Sequence, residues 1–408
     1  MTEVQTPSAI APSRRLAVLL TLLVAFGPVS TDLYLASLPD MARALKTDVT
    51  MVQLTLSAFI AGFAVMQLAY GPLSDRFGRR RAILGGIAVY VLASLFCVFA
   101  PSIETLIAGR FFQALGACCG PVVGRAVVRD LYPREAAAKV LSYMASAMAL
   151  APFVAPMAGG WLHSQFGWRS NFVLLALFGI GLGAAVWHLL EETNRHPDPQ
   201  ALDLGRMLSN YGQLFRNRTY MGYVVVVTTA FSGMFTFISG ASFVLIDMLG
   251  LAPEHFGFGF CMVVAGYMSG GFVAGRLTHT VGLERMVGLG VAGCALTGVV
   301  GAVLAYTVVP PPGPVGIALV LLPMMAFFFC AALVLPNSTA GAITPFARMA
   351  GTASAGIGFV QMTGGALAGW GVAHLFDGTH RPMALVTAGM GVLALLAYIS
   401  LVRPGAKP

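Results

Sequence analysis

The chain is 408 residues long, 57% hydrophobic and only 10% charged, with a mean hydropathy of +0.81. A soluble domain carries about 25% charged residues, so this chain could not cover a water-facing surface, and so apolar a sequence is not a disordered one. The net charge of +8 would suggest nucleic acid in a soluble protein. In a membrane chain it is read first as a topology signal, and no nucleic-acid partner is expected.

A helix needs about 20 apolar residues to cross the ~30 Å hydrocarbon core. Apolar runs fall at 16–38, 51–71, 82–100, 104–127, 137–161 and 169–190. A polar stretch follows from Glu191 to Arg218. Six more runs fall at 220–246, 255–275, 285–307, 315–337, 350–375 and 382–403. Runs of this length satisfy their backbone hydrogen bonds in lipid as helices. The expected fold is an all-α membrane protein of twelve transmembrane helices, with residues 1–190 and 219–408 as two six-helix halves and 191–218 as a linker. The first run is as long as the others and lacks a small-residue cleavage site, so it is expected to remain as a helix. The 48 glycines suit helices packed through small residues. Cys97, Cys118, Cys119, Cys261, Cys294 and Cys330 all sit in apolar runs and read as small buried hydrophobes, with no metal site.

Lys and Arg distribute unevenly between the loops. With the N-terminus inside, the inner set is Arg14 and Arg15; Arg76, Arg79, Arg80 and Arg81; Arg129, Arg134 and Lys139; Arg195, Arg206, Arg216 and Arg218; Arg276 and Arg285; Arg348; Arg403 and Lys407. Only Arg43, Lys46, Arg169 and Arg381 fall outside, and Arg110 and Arg125 lie within the fourth run. This bias predicts both termini in the cytoplasm.

The sequence also repeats itself. Gly71-Pro-Leu-Ser-Asp-Arg-Phe-Gly-Arg-Arg-Arg81 aligns with Gly275-Arg-Leu-Thr-His-Thr-Val-Gly-Leu-Glu-Arg285 at an offset of 204 residues, half the chain. Gly71, Leu73, Gly78 and Arg81 match Gly275, Leu277, Gly282 and Arg285. Each copy lies between the second and third runs of its half. Two six-helix halves in parallel repeat are a known transporter plan.

These residues carry a resemblance. The segment from Gly71 through Asp75, Arg76, Gly78, Arg79 and Arg80 resembles motif A of the major facilitator superfamily. Leu106-Ile-Ala-Gly-Arg110-Phe-Phe-Gln113-Ala-Leu-Gly116 is similar to motif B of its proton-coupled members. Ala151-Pro152-Phe-Val-Ala155-Pro156-Met-Ala-Gly159-Gly160 is similar to motif C of its antiporters. Asp32-Leu-Tyr34-Leu-Ala-Ser-Leu-Pro39 and Gly124-Arg125-Ala-Val-Val-Arg129-Asp130 resemble the Bcr/CflA drug-resistance subfamily. Two departures stand out: Ala155 where motif C has Gly, and His279 where the second-half motif A would carry its acid.

Asp32 is the most informative residue. It sits in an apolar run, about six residues and so roughly 9 Å from the outer end. A lone acid there is a functional candidate, and loss of water favours its neutral form, so it could load and release a proton. Arg110, roughly 12 Å deep by the same rise, is the expected partner, and Gln113 lies one turn on. The resemblance places both helices at a central cavity. It also implies that Asp75 sits near the start of the eleventh helix at Ala350-Gly-Thr352-Ala-Ser354, and that Asp130 pairs with Arg79 or Arg80, as a cytoplasmic gate. Pro152 and Pro156 with Gly159 and Gly160 are expected to bend and seal the fifth helix. Candidate cavity residues are Tyr34, Gln53, Ser57, Phe59 and Gln113 in the first half, and Phe231, Phe235, Asn337 and Gln361 in the second. Asp247 and Glu254 read as solvated or capping.

The expected function is a proton-coupled exporter of amphipathic drugs, such as phenicols or bicyclomycin, acting as a monomer in the bacterial inner membrane. It would use the proton gradient and no cofactor. A proton-coupled exporter of a natural metabolite, an amino acid or sugar, is the alternative. An enzyme is not expected, because the seven His residues are scattered and no HExxH, GxSxG or paired acids occur within a run.

Overall fold

The computed structural model describes residues 14–403, without the side chains of residues 134, 135, 138, 347 and 348. Of the charges counted above, Lys407 lies outside the described residues, as do the side chains of Arg134 and Arg348. Among the described residues all regular structure is helical. The first bundle comprises α1 (Arg14–Ala44), α2 (Val49–Phe77), α3 (Arg79–Val98), α4 (Ile103–Leu131), α5 (Arg134–Phe166) and α6 (Arg169–Leu189). A shorter α7 (Leu204–Arg216) lies in the linker. The second bundle comprises α8 (Arg218–Met248), α9 (Pro253–Val281), α10 (Leu283–Thr307), α11 (Pro314–Phe346), α12 (Ala350–Leu375) and α13 (Arg381–Val402).

Each helix matches its apolar run to within a few residues, and several overrun it. Six residues are added at the linker-side end of each of α2 and α9, because polar residues end an apolar stretch without ending a helix. Eleven of the long helices are apolar enough to cross a bilayer by composition alone. The twelfth, α12, is diluted by Gly, Ala and Thr and packs against α2 and α8. Large apolar side chains on the outer faces stand exposed, Leu92, Leu289 and Leu296 each by more than 60%. That is the pattern of a surface solvated by lipid rather than water.

The internal repeat is visible in the backbone. α2 and α9 are both 29 residues long, start 204 residues apart, and end at Gly78 and Gly282. Those two glycines have φ of +96° and +90°, a region that favours residues without Cβ. The pattern matched in the sequence is thus a pair of equivalent corners at the end of the molecule that carries the linker.

α1 and α4 are interrupted. Regular helix in α1 stops at Asp32, passes through a tight turn at Leu35–Ser37 and resumes at Leu38–Ala44. Pro28, one turn before Asp32, already removes a backbone donor. α4 divides at Cys118 into Ile103–Ala117 and Cys119–Leu131. The bundles meet along α2 against α12 and α5 against α9.

Candidate functional site

A cavity of about 400 Å³ lies between the bundles, within the range of small-molecule sites. Its wall is mostly apolar. Phe231 and Phe235, one turn apart on α8, stack with ring centroids 6.1 Å apart and face Phe59 and Phe63 from α2. Gln361 on α12 and Gln67 on α2 supply amide groups. Asp32 lines the same cavity with Pro28 and Thr31 and is only 4% exposed. The Thr31 hydroxyl donates to its carboxylate at 3.0 Å. Among the described residues no cation lies within 4.0 Å of it.

Arg110 is therefore not the ion-pair partner expected for Asp32. It is fully buried inside the first bundle. Its guanidinium sits 4.3 Å from the ring centroids of both Tyr34 and Phe59, and 5.8 Å from that of Phe172. It donates to Gln113 Oε1, and Gln113 Nε2 donates to Ser94 Oγ at 2.7 Å. Among the described residues Nε and one terminal nitrogen of Arg110 have no hydrogen-bond partner, so the three π faces carry much of its stabilisation. Phe59 belongs to both settings, lying under Arg110 and lining the cavity. The break after Asp32 also removes the uniform rise from which its distance to the outer end was reckoned.

Four of the nine cavity candidates line it: Phe59, Phe231, Phe235 and Gln361. The other five do not. Tyr34 follows the break in α1, which turns it inward to hydrogen-bond Thr55 at 3.0 Å beneath Arg110. Gln113 belongs to the Arg110 network. Asn337 accepts from Thr278 at 3.2 Å, between α11 and α9. Ser57 is buried against Gly369 of α12. Gln53 ties the two bundles together, Nε2 donating to the Ser239 carbonyl at 3.0 Å. Sequence reasoning missed Gln67 and Arg125, both on the wall. The signals for Arg125 were a charge inside the fourth run and its place in the Gly124–Asp130 segment.

The end away from the linker is closed. Beside the Gln53 tie, Ser242 Oγ donates to the Leu35 carbonyl at 2.5 Å and Thr50 Oγ1 to the Ala373 carbonyl at 3.1 Å. Arg43 pairs with Asp247 at 3.2 Å, so Asp247 is not merely solvated. On α5, Gly159 abuts the Leu33 carbonyl and Gly160 the Pro253 carbonyl so closely that neither could carry a Cβ unmoved. Pro152 lines the cavity, Pro156 does not.

The linker end is open. A second cavity of about 490 Å³ there shares Gln67, Arg125 and Ser354 with the first, so the two are continuous. Asp75 and the start of α12 at Ala350, Gly351 and Thr352 stand on its walls, and the expected docking of that carboxylate on the helix start is absent. Asp75 instead accepts from Arg79 at 2.5 Å. Arg79 also reaches Asp130 at 3.0 Å and Ser74 Oγ at 2.6 Å. Arg80 donates to the Trp187 carbonyl at 2.8 Å and lies over its ring, whereas Arg76 lies over Phe77. Glu192 accepts from the backbone N–H groups of Arg79 and Arg80 at 2.8 and 3.2 Å, capping α3 at the Gly78 corner. Sequence reasoning did not foresee this cap. Tyr211 of α7 lines the open end, and burial pushes its phenol up to about 12, so it stands there uncharged.

Two repeated bundles around a central cavity, sealed at one end and open at the other, define a secondary transporter that works by alternating access. The sequence profile of the Major Facilitator Superfamily matches residues 19–369, and the chain belongs to that family. It is 29% identical over 386 residues to multidrug resistance protein D of Escherichia coli, covering 95% of each chain. It is 30% identical over 383 residues to the bicyclomycin resistance protein homolog of Haemophilus influenzae, covering 93% of this chain and 94% of that one. Among solved structures, a D-xylose–proton symporter superposes with a TM-score of 0.73 at 14% identity, over 95% of this chain and 97% of that one, a likeness of fold.

Proposed function

We propose that this chain exports amphipathic drugs across the bacterial inner membrane in exchange for protons, with its linker end in the cytoplasm. The relatives named for multidrug and bicyclomycin resistance support the cargo. The loop charge bias supports the orientation. One observation carries the coupling: Asp32, with no cationic partner among the described residues, faces an aromatic cavity that is continuous with the open linker end. An acid so placed is protonated or ionised according to which side it last faced, and an aromatic cargo occupies the same space. Proton and cargo therefore compete for one cavity while the bundles rock. The chain works as a single unit, since both halves of the cavity come from it.

The test is drug resistance and drug-induced proton release in everted vesicles, with Asp32→Asn beside the unaltered protein at matched expression. Loss of both proton release and resistance is expected for the variant. Undiminished release would remove Asp32 from the coupling, and resistance unaffected by collapse of the proton gradient would remove the coupling itself.

A further inference from the structure

The wall shared by the two cavities carries a charge that the exporter reading does not use. Arg125 lies in α4, within the membrane-spanning part of the chain, and its side chain is exposed to the space between the bundles. It borders both the central cavity and the open end. Among the described residues no carboxylate lies within 4.0 Å of it, and no ring lies beneath it. Arg129, one turn further on the same helix face, also lines the open end and has no ion-pair partner among the described residues. The other charges along this route are neutralised in place: Asp75 by Arg79, and Asp198 by Arg206 at 2.9 Å. The path inward thus presents two unpaired cations, then an aromatic chamber, and at its deep wall the nearly buried Asp32. A cation held without a partner in a low-dielectric wall favours any anion that can reach it.

We infer that Arg125, with Arg129 as the outer step, is a specificity-determining anion site, and that the preferred cargo is an amphipathic aromatic compound bearing one carboxylate. The anion meets the guanidinium while the ring enters the Phe59, Phe231 and Phe235 chamber. This deepens the exporter reading and rests on the cavity being the cargo site.

The experiment measures equilibrium binding of two radiolabelled probes, naphthalene-2-carboxylate and naphthalene-2-carboxamide, to the purified full-length protein. They share a ring and differ in charge. The unaltered protein is expected to bind the carboxylate more tightly. Arg125→Gln should weaken the carboxylate about tenfold or more, the scale of one lost charge-assisted hydrogen bond, and leave the amide within about twofold, which also shows that the variant is folded. Arg125→Lys should keep most of the preference. Equal affinities for the two probes in the unaltered protein, or a parallel loss of both in Arg125→Gln, would overturn the inference. Cells that gain no drug resistance while the Arg125-dependent preference holds would instead defeat the exporter reading and leave the anion site standing.

Discussion

Replacing Gln53 with Ala should tip the protein away from the state described here. Gln53 is fully buried, and its Nε2 bond to the Ser239 carbonyl is one of a few polar ties across the closed end. When that end opens, the α2–α8 contact must part. The tie therefore stabilises one state and not the other, which is the condition for shifting an equilibrium. A net hydrogen bond is worth about 1 kcal/mol. The other amide atom, Gln53 Oε1, has no partner, so truncation removes one made bond and one unmade bond, and about 1 kcal/mol is the upper end. That corresponds to roughly a fivefold shift toward the state open at the far end. Thr50→Ala, which frees the Ala373 carbonyl, should add independently, and the pair should approach about thirtyfold. Distance distributions between spin labels on either side of the closed end, one near Arg43 and one near Asp247, measure the two populations directly. An unchanged distribution in the double variant would refute the assignment of these bonds as a gate.

Two further predictions concern the corners and seams. Arg79→Ala should lower thermal stability in detergent by about 1–2 kcal/mol, mostly through the half-buried Asp130, because the Asp75 carboxylate is nearly half exposed and screened. An unshifted melting temperature would show that this network is not a structural brace. Gly159→Ala should cost about 1–3 kcal/mol by forcing α5 away from the Leu33 carbonyl. Gly71→Ala, where a Cβ meets nothing within 4 Å, should be neutral or slightly stabilising. Equal melting temperatures for these two variants would contradict the close approach of α5 to α1.

The helices and the repeat were legible because hydropathy along the chain is a one-dimensional quantity. Facing is not. Phe231 and Phe235 share the cavity wall because four residues on a straight helix return to the same side. Tyr34 was misplaced because the chain breaks at Asp32, and no spacing rule carries across a break. Asp32 lines the cavity and Arg110 does not, and only packing of Arg110 against Tyr34, Phe59 and Phe172 decides that. Glu192 could not be found at all, since a cap supplied from more than a hundred residues away leaves no local trace. The closed and open ends depend on which of two bundle arrangements is populated, a property shared by one sequence.

The linker is divided between the bundles. Its first part is fastened to the first bundle, Asp198 N–H donating to the Asp75 carbonyl at 3.1 Å. α7 is fastened to the second, with Leu214 buried beside Tyr220 and Val224. Between the anchor at Asp198 and the start of α7 at Leu204 runs a strap of about half a dozen peptide units, which at full stretch reaches roughly 20 Å. However far the bundles swing, the mouth on this side cannot gape wider than its own leash. Its length therefore sets the widest molecule the mouth admits, and cutting it, while both halves stay in the membrane, would lift that limit.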